Sequence, residues 1–185
     1  MMSKASPPAN VKINPAPPRR TLWPVLLIGS GALLLVGATW WARSANETGD
    51  LGLTFANQGQ EHIAVGADHG DYNSFPATSG WHDREPQPWG RFAYTVEPER
   101  LIHNLEHGGV VIQYNPALVQ GAETRLENVQ RRFPNKTVVA PNAALKVPVA
   151  VTAWRRLYTL DGVDETRIVA FVERYKNRAP ERFPD

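Results

Sequence analysis

Cysteine is absent from this chain of 185 residues, and methionine occurs only at positions 1 and 2. The missing cysteine excludes a disulfide-stapled fold, a Cys-ligated zinc or iron–sulfur centre, and thiol catalysis. The chain is nevertheless long enough to bury a core of ordinary domain size. Neither charge dominates, because the formal net charge is +2, so the composition carries no nucleic-acid signature and no nucleic-acid partner is predicted.

One long apolar run is present, and it lies near the N-terminus. Residues 1–20 are rich in proline and polar residues and are predicted to be a disordered cytoplasmic tail. Residues 21–43 are predicted to form one transmembrane helix, because the run can cross a hydrocarbon core of about 30 Å. Most basic residues near the run precede it, which predicts a cytoplasmic N-terminus: Lys4, Lys12, Arg19 and Arg20. The expected location is the inner or plasma membrane.

Two export signals compete with a permanent anchor. Ala42-Arg43-Ser44 is a small-x-small site at which a signal peptide could be cleaved, although the apolar run is longer than the usual 7 to 15 or so residues. Arg19-Arg20 also fits the start of a twin-arginine signal. Each interpretation leaves the rest of the chain outside the cytoplasm. Residues 44–60 are predicted to be a linker, and residues 61–185 an extracytoplasmic globular domain.

The extracytoplasmic part is predicted to be a small α+β or α/β domain with a loop-rich N-terminal part. Residues 68–97 are rich in Gly, Pro, Asp and aromatic residues without a sustained period, which predicts ordered loops. The predicted elements that follow are a helix from Glu97-Pro98 to Gly108-Gly109, a strand Val110–Tyr114, a helix from Asn115-Pro116 to about Arg132, a strand Thr137–Ala140, an extended piece Pro148–Leu160 that bends at Arg155-Arg156, and a closing helix capped by Asp164. This order predicts a small mixed sheet with helices packed on it.

All five histidines lie between residues 62 and 107, and the last 78 residues contain none. His103 and His107 are four residues apart on the predicted helix, so both imidazoles project from one face and can share an ion. His82 and His62 are the predicted further ligands. Imidazole donors suit transition metals, and the predicted ion is copper or zinc, with no organic cofactor.

The local charge supports a cation site. Residues 46–115 contain ten acidic and three basic residues, so the segment that holds every histidine is strongly negative. His69 lies in a polar, turn-like stretch and is predicted to be exposed and outside the site. An alternative interpretation stays open, in which the histidines are buried and form hydrogen bonds that hold the loops.

Two catalytic patterns are weaker predictions. His103-Asn104-Leu105-Glu106-His107 matches H-x-x-E-H, in which Glu106 would be the general base of a metal-dependent hydrolase. Gly108-Gly109 ends the helix directly after this motif, and the remaining chain is short for a peptidase. Ser79, His82 and Asp83 are interpreted as a capped turn, because sequence neighbours rarely form a catalytic triad.

Two motifs give a family resemblance. Thr78-Ser79-Gly80-Trp81-His82 is followed by Leu105-Glu106-His107-Gly108. Together they resemble an uncharacterised bacterial family of membrane-anchored domains of unknown function, from about Gly59 to Pro180. The resemblance implies an exported, membrane-tethered domain with His82, His103, Glu106 and His107 at its signature positions, and it implies no activity.

The leading functional prediction is a single-pass, extracytoplasmic domain that binds copper or zinc through its histidine cluster. The alternative is a non-catalytic assembly or interaction factor for a membrane complex, in which the histidines are structural. A metal-dependent hydrolase is the third prediction. Whether the protein is an enzyme stays open, with a non-enzymatic role favoured. The expected partners are the membrane and a membrane-protein complex.

Overall fold

The computed structural model describes residues 51–181 and has a mixed α+β fold with one six-stranded sheet and three helices. The strands are β1 (Leu53–Thr54), β2 (Gly90–Arg91), β3 (Val110–Tyr114), β4 (Thr137–Pro141), β5 (Val149–Ala153) and β6 (Arg156–Leu160). The helices are α1 (Pro98–Glu106), α2 (Ala122–Arg132) and α3 (Glu165–Tyr175). The predicted tail, transmembrane helix and first part of the linker lie outside the described residues. Among residues 51–181, no helix is both long and apolar enough to cross a membrane.

The sheet is mixed, with the strand order β1-β6-β5-β3-β4-β2. Strand β4 runs parallel to β3 and β2, whereas β3, β5, β6 and β1 pair antiparallel. All five residues of β3 are buried, since this strand lies inside the sheet and both of its faces are covered. Both faces of β3 are therefore available to build a core.

The two faces of β3 belong to different cores. Val110 and Ile112 pack with Phe171 in the core that helices α2 and α3 cover. Val111 packs with Leu105 of α1 in a second core on the opposite face. The alternation of side chains along a strand produces this division. Helix α1 and the loops that precede it therefore lie together on one face of the sheet.

The predicted second helix begins too early. Helix α2 starts at Ala122, so Asn115-Pro116 is not its first turn. Asn115 instead stabilises a turn, because its Oδ1 accepts a hydrogen bond from Ala117 N at 2.9 Å and its Nδ2 donates to Leu145 O at 2.8 Å. Gly121, with φ of 64°, separates this turn from the helix. Asparagine is common in such turns as well as at helix N-caps, so its presence predicted the wrong first residue for α2.

The predicted extended piece from residue 148 to 160 is two antiparallel strands, β5 and β6. They are joined at Trp154-Arg155, where Arg155 has φ of 62°. Strand β1 lies in the segment predicted as linker, and it pairs with β6 at the edge of the sheet. The closing helix is confirmed, and Asp164 caps it by accepting a hydrogen bond from Arg167 N at 3.1 Å.

Candidate metal centre

Four side chains from three separate segments converge on one point. They are His62, His82, His103 and Glu106, and one ligand atom from each lies within 4.8 Å of the others. His82, His103 and Glu106 are buried, whereas the His62 side chain is 39% exposed. Three of the four predicted histidine ligands are thus brought together, with Glu106 as the fourth member of the group.

His62 and His82 meet through an isolated parallel β-bridge in which they are paired residues. Ile63 N donates to His82 O at 2.7 Å, and His82 N donates to Glu61 O at 3.0 Å. Paired residues of a bridge project to the same side, so their ring centroids are 4.7 Å apart. This backbone pairing places an exposed imidazole over a buried one.

The turn Thr78-Ser79-Gly80 anchors this bridge. Thr78 O accepts a hydrogen bond from Arg155 N at 2.8 Å, and Ser79 Oγ accepts one from Gln58 N at 3.2 Å. Gly80 has φ of 116°, a conformation that side chains rarely adopt. The Ser79 hydroxyl accepts a hydrogen bond from a backbone N–H, and the His82 ring nitrogens contact Gly80 O and Glu106 Oε2. The geometry therefore fits a structural turn rather than a catalytic triad.

Both buried imidazoles are oriented by backbone carbonyls. His82 Nδ1 is 2.7 Å from Gly80 O, and His103 Nδ1 is 2.6 Å from Asp83 O. Carbonyl oxygens only accept hydrogen bonds, so each Nδ1 carries its hydrogen. In the neutral rings, the Nε2 lone pairs are then available as ligands, which is the arrangement that metal-binding histidines commonly have.

Two acceptors face each other at the centre of the cluster. With its hydrogen on Nδ1, a neutral His82 has a lone pair at Nε2, which is 2.9 Å from Glu106 Oε2, and His62 Nε2 is 3.9 Å from the same oxygen. Two acceptors 2.9 Å apart repel unless a proton or a cation lies between them. His103 Nε2 is 2.9 Å from His107 Nε2, a contact that a hydrogen on His107 Nε2 would satisfy. The facing atoms of His82 and Glu106 therefore favour a proton or a cation between them.

The Glu106 carboxylate is only 2% exposed, so hydrogen bonds or a positive partner must offset the cost of burying it. Its Oε1 accepts a hydrogen bond from Gln60 Nε2 at 2.6 Å, which leaves Oε2 directed at His82. Gln60 was not among the predicted site residues. Gln60 precedes His62 by two residues, and side chains two residues apart on an extended segment lie on the same side. This spacing is the sequence feature that could have predicted a place for Gln60 in the site.

His107, the fourth predicted ligand, belongs to a second group with Glu106 and Glu181. Its Nε2 is 3.1 Å from Glu181 Oε2. Burial, together with the adjacent His103, lowers the pKa of His107 below its ordinary value. Glu181 lies 75 positions beyond Glu106 in the sequence, and no local pattern identifies it.

His69 lies outside both groups. It is half-buried rather than exposed, because its ring stacks on Trp81 with the centroids 5.5 Å apart and packs against Tyr72 at 4.7 Å. Its Nδ1 is 2.6 Å from Gly70 O. His69 is thus a packing residue within the histidine-rich window.

Asn104 holds the loop that carries Asp83 onto helix α1. Its Oδ1 accepts from Gln87 N at 3.0 Å and its Nδ2 donates to Gln87 O at 2.7 Å, in a buried position.

Asn104→Ala is expected to lower the free energy of unfolding by about 2 kcal/mol, because both Gln87 backbone groups lose their partner. Urea unfolding measures the effect. The control Asn128→Ala, on exposed α2 surface, should change the value by less than about 0.5 kcal/mol, and equal effects would contradict the prediction.

Comparison with known proteins places the chain in one family. No curated protein and no solved structure matches the chain. One family model, described as a protein of unknown function (DUF3105), matches residues 66–184. The matched region includes α1, the turn at 78–80 and every member of the cluster except His62. Since the match covers more than half of the chain, the protein belongs to this DUF3105 family of unknown function.

Proposed function

We propose that the protein is a membrane-anchored, extracytoplasmic domain that binds one Cu²⁺ or Zn²⁺ ion through His62, His82, His103 and Glu106. The observation that carries the metal proposal is the convergence of three imidazoles and one carboxylate from segments far apart in sequence. The apolar run at residues 21–43 and the basic residues before it support the anchor and the orientation.

The spacing of the donor atoms supports a single ion. Ligand atoms bonded to one zinc at about 2.0 to 2.1 Å lie roughly 3.3 Å apart in a tetrahedron. The distances from Glu106 Oε2 to His82 Nε2 and to His62 Nε2, 2.9 and 3.9 Å, bracket this value. Imidazole and carboxylate donors bind both Zn²⁺ and Cu²⁺, so the donor set leaves two candidate ions.

The position of Glu106 argues against the hydrolase interpretation. A general base in H-x-x-E-H must stand apart from the ligands so that it can take a proton from bound water. Here Glu106 Oε2 lies among the imidazole nitrogens, and Oε1 is engaged by Gln60. We therefore propose a binding role rather than a hydrolytic one.

Metal analysis of the full chain, purified in detergent without chelator, tests the proposal. The expected result is close to one equivalent of zinc or copper per chain, removed by EDTA and restored by either ion. Both ions should be titrated separately into the EDTA-treated protein. Less than about a tenth of an equivalent at saturation, for both ions, would contradict metal binding.

A second candidate is a non-catalytic assembly factor for a membrane complex, in which the histidines hold loops together. The observation that favours it is the pair of hydrogen bonds from His82 and His103 to Gly80 O and Asp83 O, because these stabilise the loops without an ion. In that case EDTA would leave the melting temperature unchanged. A metal centre predicts instead that EDTA lowers it, since the ion stabilises only the folded state.

A further inference from the structure

A second group of metal-ligand atoms lies beside the histidine cluster, where the chain after α3 meets the end of α1. Its members are Glu106, His107 and Glu181, and one ligand atom from each lies within 4.8 Å of the others. We call this group the outer site, and the group of three histidines and Glu106 the inner site. Because Glu106 belongs to both, an ion in the outer site would lie next to an ion in the inner site.

The backbone holds Glu181 at the end of α1. Glu181 N donates to Glu106 O at 3.1 Å, and Asn177 N donates to Gly108 O at 2.8 Å. The two segments approach closely, since a Cβ on Gly108 would lie 2.8 Å from Asn177 Cα. A backbone that is already ordered lowers the entropy cost of bringing the Glu181 carboxylate to an ion. The approach of Glu181 to His107 thus rests on main-chain contacts as well as on a side-chain rotamer.

His107 Nε2 lies between two acceptors, His103 Nε2 at 2.9 Å and Glu181 Oε2 at 3.1 Å. His103 carries its hydrogen on Nδ1, so its Nε2 presents a lone pair, and a single hydrogen on His107 Nε2 can align with only one of the two acceptors. An ion in the inner site would take up the lone pair of His103 and leave His107 Nε2 directed at Glu181. In the tautomer with its hydrogen on Nδ1, His107 is then a ligand for a second ion.

Glu106 has the capacity to contact two ions. A carboxylate offers about four lone-pair positions on its two oxygens, so Oε1 can keep its hydrogen bond from Gln60 Nε2. The outer site has one imidazole where the inner site has three, and the positive charge of Lys136 is close, because its Nζ donates to His107 O at 3.5 Å. Fewer nitrogen donors and a nearby positive charge both predict that the outer ion binds more weakly than the inner one.

We propose that the outer site binds a second divalent transition-metal ion, so that the fully loaded chain holds two ions that share Glu106. This inference rests on the proposed function, since His107 is released as a ligand when the inner ion occupies His103. Three protein ligands leave a position of a tetrahedral site to water. Glu181 is 47% exposed, so the outer ion is in reach of solvent and is the one that exchanges first.

Calorimetric titration of Zn²⁺ into the EDTA-treated full chain in detergent, after the chelator is washed out, tests the proposal. We expect a tight first equivalent, which the purified chain retains, and a weaker second equivalent. Glu181→Gln removes a charge from the outer site but keeps an oxygen that accepts a hydrogen bond. It should weaken the second step by about tenfold or more and leave the first step unchanged. In the matched control Glu173→Gln both steps should persist, because Glu173 is 52% exposed and lies outside both sites.

Electron paramagnetic resonance with Cu²⁺ tests whether the two ions are neighbours. Ions in two-metal sites lie about 3.5 to 4 Å apart, and two Cu²⁺ ions at that separation couple magnetically. At two equivalents, the integrated signal of the natural chain and of Glu173→Gln should therefore fall below that of two independent spins. In Glu181→Gln the coupling should be absent.

Three results would overturn the proposal. The first is saturation of the natural chain at one equivalent. The second is a second step of unchanged affinity in Glu181→Gln, which would mark adventitious binding elsewhere on the surface. The third is a pair of uncoupled Cu²⁺ spins at two equivalents. A first step that persists while the second is missing contradicts this inference alone, whereas loss of both steps contradicts the proposed function as well.

Discussion

His82→Ala is expected to abolish metal binding and to lower the free energy of unfolding of the metal-free chain by about 3 to 5 kcal/mol. His82 is fully buried, and its Nε2 is 2.9 Å from Glu106 Oε2. In the metal-free chain a proton has to lie between these two atoms, so removing the imidazole deprives a buried carboxylate of its hydrogen-bond partner at Oε2. It also leaves a cavity between the turn at Gly80 and helix α1. Isothermal titration with Zn²⁺ and Cu²⁺ measures the first effect, and urea unfolding in EDTA measures the second.

His62→Ala is the companion variant, because a folding defect alone could explain loss of binding in His82→Ala. The His62 side chain is 39% exposed, so its removal should change the free energy of unfolding by less than about 1 kcal/mol. It nevertheless supplies one of the converging ligand atoms. Metal affinity is expected to fall by about a hundredfold or more, on the scale by which loss even of outer-shell partners weakens metal sites.

His69→Ala is the matched control, because His69 lies in the same histidine-rich window but outside the cluster. Its metal affinity should equal that of the natural chain. If His62→Ala and His69→Ala bound metal alike, the converging group would not be the metal site. If His82→Ala lowered stability while EDTA left the natural chain unchanged, the histidines would be structural, as the assembly-factor interpretation requires.

The limits of helix α1 could be predicted from local sequence. Pro98 at the first turn and the glycines after His107 mark where it begins and ends, and the spacing of His103 and His107 predicts that both lie on one face, where their Nε2 atoms are 2.9 Å apart. The buried strand β3 was equally clear from its run of β-branched and aromatic residues. These signals are local, and the structure agrees with them.

The rest of the site depends on contacts between distant segments. The bridge between His62 and His82 joins residues that are 20 apart, and Arg155 N reaches back to Thr78 O across the fold. Neither contact leaves a period or a motif in the sequence. The position of His107 also required the fold, because its place beside Glu181 is set by where the chain returns after α3. Periodicity thus identified the helix face but not the complete set of groups that meet there.

Gly109→Ala is expected to lower the free energy of unfolding by about 3 kcal/mol, because this position, three residues after the end of α1, has no room for a side chain. A Cβ at Gly109 would overlap the ring of Trp89 and lie 2.7 Å from Asn104 O. The backbone oxygen cannot move without disturbing α1, since Gly109 N donates to it at 2.9 Å. Urea unfolding of the metal-free chain measures the loss.

Gly162→Ala is the matched control, since a Cβ there meets no atom within 4 Å, and its effect should stay within about 0.5 kcal/mol. A double-mutant cycle then separates the part of the destabilisation that comes from Trp89 from the part that comes from Asn104 O. Trp89→Phe shortens the ring that the new Cβ would overlap, so Gly109→Ala should cost less in that background than in the natural chain. Part of the cost should persist, because Asn104 O is backbone. If Gly109→Ala and Gly162→Ala were equally mild, the close approach of Trp89 to the end of α1 would not constrain this position.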